Sequence, residues 1–191
     1  MTKTNAEAEA DLIAEAQNGD RGAYGELTRR YYDGVIRVVY RMCGDAELAQ
    51  DAAQEAFIRA WLNLPRFTPG TSLRNWLYRM AVNAALDVLR REAKRAGPDI
   101  DALALPDPGE GPEAALINKE RETAVRRAVL ALPEAGRSVL VLREYGGLSY
   151  KEIAAALDIP LGTVMSRLNY ARGQLKGTLR AYFVRMEIEN A

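Results

Sequence analysis

The tightest constraint on what this chain can fold into lies at residues 148–175, LSYKEIAAALDIPLGTVMSRLNYARGQL. Ser149 stands three residues before Glu152, the capping-box spacing in which each side chain satisfies a backbone N–H left over at a helix start. A helix therefore begins at Ser149. Ile153, Ala154 and Leu157 give it an apolar stripe, and Asp158-Ile159-Pro160 interrupts the pattern because proline disfavours helical geometry in the residue before it. A second helix follows from about Leu161. Val164, Leu168, Ala171 and Leu175 fall on one face, while Thr163, Met165, Ser166, Arg167, Asn169, Tyr170 and Arg172 cover the rest. Two short helices about a tight turn match the geometry of a DNA-reading helix-turn-helix. The exposed hydroxyls, amide and arginines can contact phosphates and base edges, and the stretch holds only Glu152 and Asp158 as acids. The same spacing also suits a helical bundle that binds nothing, so taken alone the stretch leaves both readings open.

Charge placement bears on that choice. The 26 Lys and Arg balance the 26 Asp and Glu, yet the charges are segregated. Residues 1–20 carry Glu7, Glu9, Asp11, Glu15 and Asp20 against Lys3. Residues 66–95 carry Arg66, Arg74, Arg79, Arg90, Arg91, Lys94 and Arg95 against Asp87 and Glu92. Acid returns at Asp99, Asp101, Asp107, Glu110 and Glu113, before a basic C-terminal part. Two basic zones around an acidic connector suit two separate contacts with a polyanion, although any one block also reads as a solvated face. The chain has no histidine and a single cysteine, Cys43. An intrachain disulfide is thereby excluded, as are the usual zinc ligand sets, and the commonest general base is missing. No apolar run approaches the roughly 20 residues needed to span a bilayer, and the N-terminus lacks the apolar core of a signal peptide, so a cytoplasmic address is expected.

Every other periodic segment is also helical, and no stretch reads as a strand. The first ten residues are small, polar and uncapped, and are expected to be disordered, with a short helix from Asp11 stopping at Gly19. Asp20 caps a second helix with Ala23, Leu27, Tyr31, Val35, Val38 and Met42 inward, ending near Gly44; Gly34 weakens it without erasing the pattern. Asp45 caps a third, whose buried face carries Leu48, Ala52, Ala53, Ala56, Phe57, Ala60 and Trp61, while Asp51, Gln54 and Glu55 form a compact acidic patch within one turn, which suits a partner protein but also reads as a solvated face. After a loop with Pro65, Pro69 and Gly70, Thr71 or Ser72 caps a fourth helix. Leu73, Trp76, Leu77, Met80, Ala84 and Val88 pack inward there, and Arg74, Asn75, Tyr78, Arg79, Asn83, Asp87 and Arg90 project elsewhere. Basic, amide and aromatic groups interleaved in this way can hold single-stranded DNA by phosphate contact, edge hydrogen bonds and stacking, although Trp76 also fits a core position. Residues 96–112, rich in Pro and Gly, read as a linker. They divide an N-terminal domain at 1–95 from a C-terminal one at 113–191. In the latter, one helix runs from Glu113 to about Ala131 and another from Glu134 to Tyr145, with Gly146-Gly147 leading into the opening stretch.

Taken together, these segments resemble the extracytoplasmic-function (ECF) sigma factors of bacteria over nearly everything from Asp20 to Leu179. AQDAAQEAFIRAW, residues 49–61, resembles the family segment that grips the clamp of the polymerase's largest subunit. The resemblance implies polymerase-binding roles for Asp51, Gln54, Glu55 and Arg59. TSLRNWLYRMAVNAALDVLRR, residues 71–91, resembles the helix that recognises and melts the promoter's minus-ten element, which implies contacts from Arg74, Asn75, Trp76, Arg79, Asn83 and Arg90. Residues 131–175 resemble the domain that reads the minus-thirty-five element, which implies Thr163, Ser166, Arg167, Asn169, Tyr170 and Arg172 as contacts. The family usually has basic residues where this chain has Met165 and often where it has Tyr170, so Thr163, Ser166, Arg167 and Arg172 carry more of the expected contact.

The expected architecture is thus all-α: two small helical domains joined by a flexible linker, the second containing the helix-turn-helix. The expected function is that of a sigma factor. Its partners are core RNA polymerase, promoter DNA and an anti-sigma factor, with no catalytic residue, metal, cofactor, small-molecule substrate or membrane insertion. The alternative is a helix-turn-helix regulator acting without the polymerase, which leaves the basic helix at residues 72–95 unexplained. A small enzyme would have to work with carboxylates, lysines or Cys43 alone, and a plain adaptor would not use Arg167.

Overall fold

The computed structural model describes residues 5–68, 70–96 and 113–189. Among these residues the chain forms eight α-helices and one 3-10 turn, and no strand. They are α1 (Asn5–Gln17), α2 (Arg21–Cys43), α3 (Ala46–Asn63), the 3-10 turn Leu64–Arg66, α4 (Leu73–Ala96), α5 (Glu113–Leu130), α6 (Glu134–Glu144), α7 (Tyr150–Leu157) and α8 (Leu161–Glu189). The linker assigned to residues 96–112 begins at the last residue of α4 and otherwise lies outside the described residues.

The first departure from expectation is α1, which covers residues 5–10 as well as the segment expected to be helical. Its sequence NAEAEADLIAEAQ is made mostly of strong helix formers. Tertiary contacts add the rest: Leu12 and Ile13 pack on the core, Glu9 accepts the Tyr31 hydroxyl at 2.6 Å, and Gln17 Nε2 donates to the carbonyls of Leu64 and Phe67 at 3.0 and 2.9 Å. Gln17 thereby ties the first helix to the turn after α3.

Local capping sets the next boundaries. Asp20 accepts from the N–H groups of Gly22 and Ala23 to open α2, and Gly44, at φ 76°, closes it. Asp45 accepts from the Leu48 N–H and opens α3. Helices α2, α3 and α4 then pack as a three-helix unit. Leu27, Val35, Val38, Val39 and Met42 come from α2, Ala49, Ala52, Ala53, Ala56 and Ala60 from α3, and Leu77, Ala81, Val82, Ala84, Ala85 and Val88 from α4. The α3–α4 seam is mostly alanine, which lets the two backbones run close together. Gly34 is explained by the same crowding. A Cβ there would lie 2.4 Å from the Tyr78 hydroxyl, so the residue that weakens α2 locally makes room for α4.

Tyr78 is itself a correction. Expected to project away from the core, it is 6% exposed. It lies close to Gly34 on one side and to Gly146, just after α6, on the other.

The C-terminal helices do not stand apart from this unit. Leu132, Val139, Leu140, Val141 and Leu142, together with Leu148, Ile153, Val164, Leu168 and Ala171, join the same continuous buried cluster. Arg137 of α6 holds the junction. Its guanidinium donates to the Met42 carbonyl at the end of α2 (3.0 Å), to the Leu130 carbonyl at the end of α5 (2.6 Å) and to the Leu132 carbonyl just beyond it (3.0 Å). Helix C-termini leave carbonyls without intrahelical partners, and one half-buried arginine here serves two helix ends. At the same corner a Cβ on Gly44 would fall 2.2 Å from Leu130 Cδ1, so glycine is required there by space as well as by its positive φ.

Candidate nucleic-acid and polymerase interfaces

The helix-turn-helix forms as its sequence requires. Ser149 Oγ accepts from the Glu152 N–H at 3.3 Å and Glu152 accepts from the Ser149 N–H at 2.8 Å, which completes the capping box. Asp158 ends α7 in the left-handed conformation (φ 54°), a region that aspartate tolerates better than most residues. Val164, Leu168 and Ala171 anchor α8 to the core. Ser166, Asn169, Tyr170 and Arg172 are exposed, and Thr163 and Arg167 are half-buried. Ser166 Oγ bonds back to the Thr163 carbonyl at 3.1 Å. Arg172 meets Glu144 of α6 at 2.8 Å and the Tyr150 hydroxyl at 3.4 Å.

On α4 the residues expected at the minus-ten element divide into two groups. Asn83 is exposed and Arg79 half-buried. Trp76 is half-buried, with its ring centroid 5.2 Å from that of Phe67, so packing accounts for part of its surface. The others are held by the C-terminal helices. Asn75 Nδ2 donates to Glu152 at 3.1 Å, Arg74 reaches the same carboxylate at 3.4 Å, and Arg90 meets Glu134 at 2.9 Å. Glu152 is thus both the capping residue of α7 and the acceptor for two side chains of α4. Hydrogen bonds from the Ser149 backbone and side chain, then from Asn75, with Arg74 adding a smaller charge effect, hold its carboxyl well below the usual range, at about 2.

On α3 the structure keeps Asp51 and Gln54 exposed but commits the other two expected polymerase contacts to internal pairs. Glu55 pairs with Arg59 and with Arg91 of α4, and Arg59 also meets Asp87 at 2.8 Å. Beside Asp51 and Gln54 lies a surface the sequence reading missed. An open groove of about 730 Å³ runs between α2 and α3, lined by Tyr24, Tyr32, Gln54, Phe57, Ile58 and Leu62 among others. Ile58 and Leu62 are 53% and 71% exposed. Their signal was present: 54, 58 and 62 are spaced by four on the side of α3 away from Ala52, Ala56 and Ala60, so two apolar residues sit on a face that solvation alone would make polar. Among the described residues no three His, Cys, Asp or Glu side chains are grouped to hold a metal, and no helix is long and apolar enough to cross a membrane.

Comparison with known proteins accords with this geometry. Residues 27–95 match the family model for sigma-70 region 2, and residues 122–175 match that for sigma-70 region 4. The RNA polymerase sigma-H factor of Pseudomonas aeruginosa is 37% identical over 185 residues, covering 91% of this chain and 95% of that protein. The ECF RNA polymerase sigma factor SigW of Bacillus subtilis is 34% identical over 177 residues, covering 88% and 95%. The structure of CnrH in complex with the cytosolic domain of CnrY aligns with a TM-score of 0.69 at 26% identity, covering 91% of this chain and 98% of that one. The sigma factor RpoE of Bartonella quintana, crystallised with the anti-sigma factor NepR, shares the fold with a TM-score of 0.63 at 21% identity, covering 81% and 97%. The chain belongs to the ECF sigma factors of the sigma-70 family, with region 2 in α2–α4 and region 4 in α5–α8. It is a transcription initiation factor that binds core RNA polymerase and directs it to particular promoters.

Proposed function

We propose that the structure is the DNA-free, closed form of this sigma factor and that its contact residues divide as follows. Asp51 and Gln54, with the adjoining Ile58–Leu62 groove, dock on core polymerase. Glu55 and Arg59 brace that face through α4. Arg74, Asn75, Trp76, Arg79, Asn83 and Arg90 engage the minus-ten element, and Thr163, Ser166, Arg167, Asn169, Tyr170 and Arg172 engage the minus-thirty-five element. The two groups act as separate domains, 1–95 and 113–191, once the contacts between them open. A linker then raises the effective concentration of the second domain when the first is bound, so specificity depends on the spacing of the two elements.

One observation carries this reading. Three arginines assigned to DNA are each paired with a carboxylate from another helix: Arg74 with Glu152, Arg90 with Glu134 and Arg172 with Glu144. Each carboxylate takes the place a phosphate would take, as expected of a polyanion-binding surface folded on itself. In this reading the chain works in the cytoplasm and leaves all phosphoryl transfer to the polymerase. Membership of the family adds an anti-sigma factor as the partner that keeps the two domains from their elements.

Purified core polymerase with this chain, on a library of promoter fragments, should give run-off transcripts that core alone does not. Asp51→Arg should weaken binding to core while leaving the helical content unchanged. No transcript above core alone, where a known sigma factor works, refutes the function; unchanged core affinity returns Asp51 to ordinary surface.

A further inference from the structure

The side of α8 that faces away from the core is a continuous strip. Positions 162, 165, 166, 169, 170 and 173 share one face of a helix with 3.6 residues per turn, opposite the buried Val164, Leu168 and Ala171. Two of the six are glycines, Gly162 and Gly173, at which an added Cβ would meet nothing within 4 Å. The groups that stand out are therefore Met165, Ser166, Asn169 and Tyr170, with Met165 53% and Tyr170 55% exposed. None is charged. The arginines lie at the margins: Arg172 at one edge, held by Glu144 and the Tyr150 hydroxyl, and Arg167 at the other, half-buried.

Each base pair presents its own chemistry in the major groove. The O6 and N7 of guanine suit arginine or lysine, the N6 and N7 of adenine suit the amide of asparagine, and the C5 methyl of thymine suits an apolar side chain. A helix that carries a thioether and an amide one turn apart at its centre, and guanidiniums only at its edges, is built for A·T pairs flanked by phosphates. We propose that Met165 is a specificity-determining residue that packs on a thymine C5 methyl of the upstream promoter element, with Asn169 bonding a neighbouring adenine edge and Arg167 and Arg172 holding the backbone. The inference rests on the assignment of α7 and α8 to the minus-thirty-five element and adds which bases that element contains. It also accounts for Met165 itself, an exposed apolar side chain that gains nothing from water and that no other part of the described chain covers.

The test uses holoenzyme assembled from core polymerase and this chain. A duplex library randomised over the upstream element is selected for binding, and the selected fragment is remade with each thymine in turn replaced by deoxyuridine, which removes the methyl group alone. The selected element should hold A·T pairs at its centre. One deoxyuridine should lower holoenzyme affinity about fourfold, the factor that corresponds to burying one methyl-sized group, and Met165→Ala holoenzyme should bind the thymine and deoxyuridine fragments equally. The proposal fails if no thymine is sensitive, if Met165→Ala loses as much as wild type on methyl removal, or if Met165→Ala weakens core binding in place of DNA binding. Enrichment of an element without methyl dependence overturns the role of Met165 alone. Failure to enrich any element over core polymerase overturns the promoter assignment of α7 and α8, and this inference with it.

Discussion

Replacing Glu152 by glutamine should open the molecule without damaging either of the proposed DNA-contact sets. The carboxylate accepts from the Ser149 N–H, from Asn75 Nδ2 and from the Arg74 guanidinium. The first bond is local to α7 and survives in glutamine, which serves a capping box as glutamate does. The other two join α4 to α7. Arg74 and Glu152 have side chains 41% and 34% exposed and sit 3.4 Å apart, so their attraction is screened and contributes about 0.5 kcal/mol. The Asn75 bond is partly buried and ends on a charged acceptor, and contributes about 1 kcal/mol. Loss of the charge therefore costs the closed arrangement about 1–1.5 kcal/mol, which raises a small open fraction by roughly five- to twelvefold. Energy transfer between dyes on cysteines introduced at Arg66 and Lys176 reads that fraction. Cys43 stays unlabelled, because burial pushes its thiol up to about 12. Affinity of the free chain for an upstream-element duplex should rise by the same factor. Ser149→Ala is the control: it removes the cap and leaves the acceptor for Arg74 and Asn75 in place. If Glu152→Gln leaves both the dye distances and the duplex affinity within twofold of wild type, the carboxylate is not a latch.

Two further outcomes follow from the same junction. Arg137→Ala strips a half-buried donor from three carbonyls at once and should cost about 3 kcal/mol, lowering the thermal midpoint by about 10 °C; a shift under about 2 °C would show that those carbonyls find other partners. Acid should act through Glu152 in a defined window. Its folded pKa, about 2, lies below the ordinary value of 4.5, so its contribution is complete above about pH 4.5 and drains away as pH falls towards 2. The informative quantity is the difference between the two proteins, since only wild type carries the Glu152 carboxylate. The open fraction should rise more steeply in wild type than in Glu152→Gln across that window, and parallel curves would count against it.

What the sequence revealed depended on how local each determinant was. Asp20, Asp45, Gly44 and the Ser149–Glu152 pair act within a few residues, and the helices they bound were legible from spacing alone. Helix α1 was read short because its first residues are small and polar, while Leu12, Ile13 and Gln17 stabilise it through partners far along the chain, such as Leu64 and Phe67. Tyr78 looked like an outward residue because nothing nearby marks the space left by Gly34 and Gly146. Several of the residues proposed as contacts are exposed, including Asp51, Gln54, Asn83 and Tyr170. Their pairing was not legible. Asn75 and Glu152 are 77 residues apart, and no periodicity links an amide on one helix to an acid on another.

The alanine seam between α3 and α4 has a consequence for how this protein can vary. A core of leucines is damaged by truncation, but a seam of Ala49, Ala52, Ala53, Ala56, Ala81, Ala84 and Ala85 has almost nothing to lose. Enlargement is what it resists: a valine at Ala53 or Ala84 would wedge the helices apart at a cost of about 1–3 kcal/mol. The groove proposed to dock on polymerase lies on the outer side of this pair, and the residues proposed for the minus-ten element lie along α4. The seam therefore works as a spacer of fixed width, and each outer face can change its partner contacts over generations while the distance between them stays constant.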